Sequence, residues 1–582
     1  MNPKAFERFV QLYQGQWNDD VVNLLQLLIA LGALAVIGWG YKLQQQNRAA
    51  YKQGDRDMLL VALGLCGALA YSNFGQLHFN NFIHAWDTYH YYMGAKYFPE
   101  VNYDRLYDCA MVADAELART PEELKKIGER AITDLRTNVM LKASEVLKNP
   151  QVCKEHFSPE RWESFKADML FFKARVNATR WVEVHQDHGF NATPVWTLLG
   201  RLLTETGPAT LSQVTWLNMM DPLYLALTAL ILWWAFGPRV FAVGLIMLGT
   251  NFPNRYYWTG GAYLRHDWVF YLVAVVCCLK KEKYALAGAA LAYSTLLRLF
   301  PGLMLVGPLA AGIELYRLRG QVAAGEAKKT FKERIDPRFA RFLAGGAAAT
   351  ALLLTLSTIF VGGVDTWKRF AQNTTKHAAT PLTNHMGLRT VLSYRPSDIG
   401  AMTRDGTLID AWSKWKEKRL ENWNQLKPLF WLTMAGCCVL IYFAVRGTKG
   451  ELWVAASLGT GMIAFGSELT CYYYCFLMAM AALHEKRREA GMMLIGLAAS
   501  TQFIAWQPFR GMSGWLDEQY TAMSVLTLAA IGSIWWMFTE KGAVGALPPE
   551  PATTLRLTPA MAGGAPSRDD RAERKKKKKG RK

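Results

Sequence analysis

The chain has 582 residues, is 51% hydrophobic, and carries 66 Lys and Arg against 47 Asp and Glu, for a formal net charge of +19. Apolar runs of roughly 20 residues, the length that crosses a ~30 Å hydrocarbon core, recur along it and argue against a water-soluble protein. The positive excess sits in short loops and the last residues, as the positive-inside rule expects, so it does not point to nucleic acid.

In chain order, a polar start (1–20) leads into a full-length apolar segment at about 21–40, so no cleavable signal peptide is expected. This extra span belongs to an N-terminal segment, 1–57. A transmembrane module, 58–546, follows, with spans at about 58–77, 213–236, 239–253, 267–280, 284–298, 301–317, 342–361, 428–446, 451–467, 470–483, 490–506 and 519–538, thirteen in all with the first. The expected fold is an all-α polytopic membrane protein. If the spans alternate, the basic loops 41–57, 280–283, 317–341, 446–449 and 484–488 share one side with the tail. That side reads as cytoplasmic, with the N-terminus outside.

Two long loops, 77–211 and 362–427, then lie on the outer side, with shorter ones at 254–267, 468–470 and 507–520. The first long loop shows helical periodicity around 121–147 and 159–177, and 194–203 reads as an interfacial helix. Cys109 and Cys153 share this loop and bridge if it faces an oxidising compartment; the other cysteines read as core filler. Residues 547–582, ending in a basic run from Arg574 to Lys582, are expected to be a disordered cytoplasmic tail. Such a tail attracts anionic headgroups at about 1 kcal/mol per basic residue. No internal repeat, phosphate-binding glycine loop, dinucleotide fingerprint or zinc-ligand spacing is evident.

The chemistry concentrates on the outer side. His84, Asp87 and His90 lie among Trp86, Tyr89, Tyr91 and Tyr92, just past a span. Desolvation raises a carboxylate's pKa and a nearby imidazolium lowers it, so Asp87 is suited to take a proton from a hydroxyl near neutral pH. On a helix, His84, Asp87 and His90 or Tyr91 share one face. An interfacial aromatic belt with an N-cap aspartate explains the aromatics but not the two histidines.

Arg255, in Asn254-Arg-Tyr-Tyr-Trp258, and Arg265-His266-Asp267 form a second cluster, readable also as an Arg–Asp pair with a helix cap. Arg298, before Leu299, Phe300 and Pro301, either snorkels to the interface or holds a lipid-linked phosphate. Lys376, His377, Asn384, His385 and Arg389 crowd one outer loop, readable also as a solvated surface. Glu468 and Tyr472 sit at a very short outer turn. A carboxylate within a membrane costs about 2.5–3.5 kcal/mol, so Glu468 should have a partner or a task. Asp221, before Pro222, reads as a helix cap.

Four signatures resemble the GT-C superfamily of polyprenol-phosphate-sugar-dependent glycosyltransferases, closest in character to glycosyltransferase family 87 of the bacterial mannosyl/arabinosyl type. They are the acidic, tyrosine-rich opening of the first outer loop (Trp86 to Lys96), the proline-started helix leading to a long span (Thr193 to Asn218), the corner Arg298 to Pro301, and the loop ending Asn384-His-Met-Gly387-Leu388 with the late aromatic turn. The extra first span and the basic tail depart from that pattern.

The resemblance implies a GT-C-like bundle and an inverting transfer of a sugar from a polyprenyl-phosphate donor to a glycan or lipid-linked acceptor on the extracytoplasmic face. It implies Asp87 as general base, tuned by His84 or His90. Arg298, Lys376 and Arg389 are then the first candidates for the phosphate, with Arg255, Arg265 and His377 behind them, and Asn384, Glu468 and Tyr472 as further contacts. No metal-ligand set is expected, though a divalent cation shared by Asp87, His90 and Glu468 stays open. The expected location is a bacterial inner membrane with the site facing the periplasm, or alternatively the endoplasmic reticulum membrane. A transporter or lipid flippase, or an oligosaccharide ligase of the same fold, are the rival readings.

Overall fold

The computed structural model describes residues 19–78, 82–321, 329–506 and 517–542. The basic tail and most of the 507–520 loop lie outside the described residues. The fold is mostly helical, with two short antiparallel ribbons, Ala131–Asp134 paired to Val139–Lys142 and His385–Met386 paired to Leu469–Thr470.

Helix covers most of each apolar segment expected from the sequence, although Phe300–Leu305 and Cys471–Glu485 are wound as 3-10 helices and the 58–77 segment leaves its α-helix at Tyr71. Among the described residues, five helices are long and apolar enough to cross a membrane: Asp19–Gln45, Leu211–Phe236, Pro337–Val361, Ser413–Gly447 and Asp517–Phe538. Pro238–Thr250, Tyr284–Leu297 and Leu452–Gly466 are apolar but shorter. Chain breakers set some of these limits. Gly237, at φ +79°, closes one helix, and Pro238 opens the next where its missing N–H costs nothing.

The long helices keep apolar side chains on the outside: Leu352, Ile359 and Phe360 on one, and Trp431, Leu432 and Val439 on another, are more than half exposed. A water-exposed surface rarely carries so much contiguous hydrocarbon. Inside the bundle, small residues bring backbones together. A Cβ built on Gly249 would lie 1.7 Å from the Gly67 carbonyl oxygen, so helices Gln53–Tyr71 and Pro238–Thr250 touch main chain to main chain.

Residues 85–210 form a layer of short helices and a hairpin whose buried side chains join the core of the long helices. Its interior charges are paired. Lys96 meets Asp168 at 2.7 Å, and Asp168 also accepts from the Tyr97 hydroxyl and the Ala209 N–H. Asp114 is held by Arg130 and Lys173. Cys109 and Cys153 form a disulfide.

One expectation fails here. Residues 121–147 are not continuously helical: Pro121–Gly128 is followed by the hairpin 131–142 and then by Ala143–Leu147. The cause is a turn that periodicity does not register. Asp134 accepts from the Arg136 N–H and the Thr137 hydroxyl, and Asn138 takes φ +59°, a conformation asparagine tolerates better than most residues.

Candidate functional site

Helix Ala85–Lys96 starts at His84, whose Nδ1 accepts the Asp87 N–H at 3.1 Å. Its Nε2 therefore carries the proton and donates to the Tyr257 carbonyl at 3.2 Å. Burial lowers the imidazole pKa to about 4, in keeping with this neutral tautomer. The cap places Asp87 in the first helical turn, where the helix dipole favours an anion.

The Asp87 carboxylate faces Arg265, with Oδ2 2.9 Å from Nε. Neither of these atoms is in hydrogen-bond alignment with any group among the described residues. Burial raises the Asp87 pKa, and the pull of Arg265, His90 and Arg298 only partly offsets it. Two guanidiniums flank one ring: Arg265 Cζ lies 4.5 Å and Arg298 Cζ 5.2 Å from the Tyr91 centroid. Arg265 also lies 5.2 Å from the Tyr472 ring. Arg298 is buried, and its Nε and Nη2 have no partner among the described residues.

The loop bearing Arg265 is fastened from beneath. Asp221 Oδ1 accepts the N–H groups of Arg265 (2.8 Å) and His266 (2.7 Å), while Oδ2 takes His266 Nδ1. His266 Nε2 then receives the Tyr71 hydroxyl at 3.2 Å. Asp221 is thus not the helix cap its sequence position suggested. Its carboxylate is turned to the incoming loop, whose N–H groups bind it in place of its own helix's. Asn218 adds a second tie, donating to the Thr88 hydroxyl (3.1 Å) and the Gly261 carbonyl (2.8 Å). That same carbonyl accepts the His84 N–H at 3.1 Å.

A cavity of about 750 Å³ opens in front of Asp87. His84, Trp86, Asp87, Asn384 and Tyr472 line it, joined by Trp258, Asp187, His188, Trp412 and Lys416, which lie far apart in sequence. Trp86 Nε1 donates to Asp187 Oδ2 at 2.8 Å. Burial raises the Asp187 carboxyl, but His90, His188 and the Trp86 N–H outweigh it and hold it below the usual range.

The remaining expected residues divide. His90 is buried on the far side of its helix, bonded to the Tyr107 hydroxyl (2.7 Å) and the Val184 carbonyl (3.2 Å), and reaches Asp87 only through its field. Lys376 donates to the Leu135 carbonyl, and burial lowers its ammonium to about 8. His377 lies behind the cavity wall, its ring 5.4 Å from that of His188. Arg255 stacks over Phe252 and Tyr257 at 4.5 and 5.1 Å.

Arg389 lies 3.2 Å from Glu468, packs over Trp423 and donates to the Ala378 carbonyl. Glu468 also meets Thr390 and His385. Burial opposes its ionisation, but His385, Arg389 and Arg419 hold its carboxyl at about 2. These two charges therefore satisfy one another and clamp the 379–389 loop to the 468–470 turn, and neither lines the cavity. With His90 committed to Tyr107 and Glu468 to Arg389, Asp87, His90 and Glu468 do not converge, and no His/Cys/Asp/Glu group of metal-binding arrangement occurs among the described residues.

Sequence reasoning missed Asp187, His188, Trp412 and Lys416 in the lining, and Tyr71 beneath it. One signal was present: Gln186-Asp187-His188, before Gly189, repeats the pairing of carboxylate and imidazole seen at 84–90. No family model matches the chain, and neither does any curated protein or solved structure.

Proposed function

We propose that the chain is an integral-membrane glycosyltransferase of GT-C type with thirteen spans. It moves a sugar from a polyprenyl-phosphate donor to a glycan or lipid-linked acceptor, with inversion, on the extracytoplasmic face. The observation that carries this reading is the partly buried Asp87 at the cavity wall, 2.9 Å from Arg265 and near a second guanidinium, Arg298.

The acceptor hydroxyl attacks the anomeric carbon while the phosphate departs from the opposite face. Asp87 takes the hydroxyl proton, and Arg265 and Arg298 stabilise the charge growing on the phosphate. The ion pair links the two halves of the reaction. A phosphate that draws Arg265 toward itself removes the strongest opposite charge acting on Asp87, and the carboxylate becomes more basic at the moment a base is needed.

The disulfide Cys109–Cys153 supports an oxidising compartment for the 85–210 layer, and hence the outward orientation. A bacterial inner membrane with the site facing the periplasm fits this. The test is Asp87→Asn in purified protein: binding of a polyprenyl-phosphate sugar should persist while transfer falls by about 10²–10⁴-fold. Turnover at the wild-type rate refutes the assignment.

A further inference from the structure

Helix Val306–Arg319 carries an apolar stripe that its neighbours leave uncovered. Leu309 is 44% and Ile313 60% exposed, and with Tyr316 they fall at i, i+4 and i+7, on one face. The stripe ends on Phe331, which is 71% exposed and whose ring lies 5.7 Å from that of Tyr316. A capping box fixes Phe331 in that position: the Glu333 carboxylate accepts the Thr330 N–H at 2.7 Å and its hydroxyl at 2.9 Å, and the Thr330 hydroxyl accepts the Glu333 N–H. The chain then enters Pro337–Val361, one of the helices long and apolar enough to cross a membrane.

The charges around Phe331 are one-sided. Glu333 is spent on the cap, Asp336 on Arg338 at 3.0 Å and Arg319 at 3.9 Å, and Glu314 on Arg317 at 2.6 Å. These are the only acids among the described residues from 306 to 343. Lys329, Lys332, Arg334 and Arg341 have no acid within ion-pair reach among the described residues. Lys329 and Lys332 flank Phe331 and are exposed, and Arg341 is exposed one turn beyond Arg338. The Arg334 guanidinium lies 3.9 Å over the Tyr316 ring, at the foot of the stripe. This corner thus asks for hydrocarbon along Leu309 and Ile313 and for negative charge beside Phe331. An acidic peptide would answer the cations and leave the stripe bare. A zwitterionic lipid would cover the stripe and bring no net charge.

We propose that this corner binds an anionic phospholipid. Its acyl chains lie along Leu309 and Ile313, Phe331 enters the bilayer at headgroup depth, and Lys329 and Lys332 hold the headgroup. This site rests on the membrane-spanning part of the reading above and not on sugar transfer.

The full chain in nanodiscs of equal phosphatidylglycerol and phosphatidylcholine, released into mild detergent and read by native mass spectrometry, tests the proposal. The wild type should keep phosphatidylglycerol in preference to phosphatidylcholine. Lys329→Gln with Lys332→Gln should weaken that retention by about thirtyfold, at about fivefold per charge removed. Phe331→Ser should weaken it with every charge in place. Lys125→Gln with Lys126→Gln, exposed on the 85–210 layer, should leave it unchanged. All of these positions are at the surface, and melting temperatures matching the wild type show that the variants are folded. Retention indifferent to both the Lys329 pair and Phe331, an equal loss in the Lys125 pair, or displacement of the lipid by an equimolar polyglutamate peptide overturns the proposal. A chain that washes off membranes in alkaline carbonate overturns it together with the membrane reading; a chain that stays and shows no preference overturns it alone.

Discussion

Replacing Arg265 by Met removes the cation beside Asp87 and puts a flexible apolar chain of similar reach in its place. Removing one partner of a buried ion pair typically costs about 3–5 kcal/mol. Asp87 has one escape, which is to take up a proton. From an ordinary value of 3.8, protonation at pH 7 costs about 4 kcal/mol, at about 1.4 kcal/mol per pH unit, and this caps the loss.

The sign follows from the direction of the shift. Asp87 in the folded chain already sits above its ordinary value, and losing Arg265, its largest stabilising charge, drives it higher. The folded state then holds a proton that the unfolded state releases, so stability falls as pH rises from about 3.8 through the raised folded value. Tryptophan fluorescence during chemical unfolding in detergent should show R265M weaker than wild type at pH 7, by less than the cap of about 4 kcal/mol because part of that cost is already present in the wild type. The two should converge near pH 4, and adding Asp87→Asn should recover most of the deficit at pH 7. A deficit independent of pH, or no rescue by Asp87→Asn, would mean that Arg265 acts through packing and that the ion pair is not the organising contact.

Two further outcomes follow from geometry alone. Gly387 has φ +123°, and a Cβ there would lie 2.6 Å from the Ser467 carbonyl and 2.9 Å from that of Ala464, so Gly387→Ala should lower the melting midpoint, at a cost of about 1–3 kcal/mol; an unchanged midpoint would show that the His385–Met386 strand and the turn after it can lift away. Opening the 44-residue loop closed by Cys109–Cys153 with a Cys109→Ser, Cys153→Ser pair should destabilise the 85–210 layer by about 4 kcal/mol on chain-entropy grounds, read as faster proteolysis in that region while the bundle stays intact.

The helices and the acid at Asp87 were legible because both obey local rules. Apolar segments announce themselves by length and composition, and a carboxylate flanked by imidazoles and tyrosines is odd enough to stand out at 84–92. Arg265 and Asp87, 178 positions apart, were each singled out, but their contact depends on how the 251–266 loop folds back over Asp221, which no spacing encodes. At Arg389 and Glu468 the sequence left open whether the carboxylate has a partner or a task, and the structure supplies the partner: each charge meets the other. A single sequence shows the cost of a buried charge but not which second charge offsets it. The hairpin at 131–142 was lost for a smaller reason: one asparagine in the left-handed region reversed a segment whose periodicity read as helix.

The Gly261 carbonyl accepts two N–H groups, one from the start of the Asp87 helix and one from Asn218, and sits four residues before Arg265. Mechanically, this makes a single peptide the pivot shared by the acid, its cation and the Leu211–Asn218 helix. The loop cannot swing out alone to admit a ligand without breaking both bonds. Motion that widens the cavity must therefore come from the wall carrying Asn384 and Trp412, and an inserted residue anywhere between Gly261 and Arg265 would put the acid and its counterion out of step even if every helix still formed.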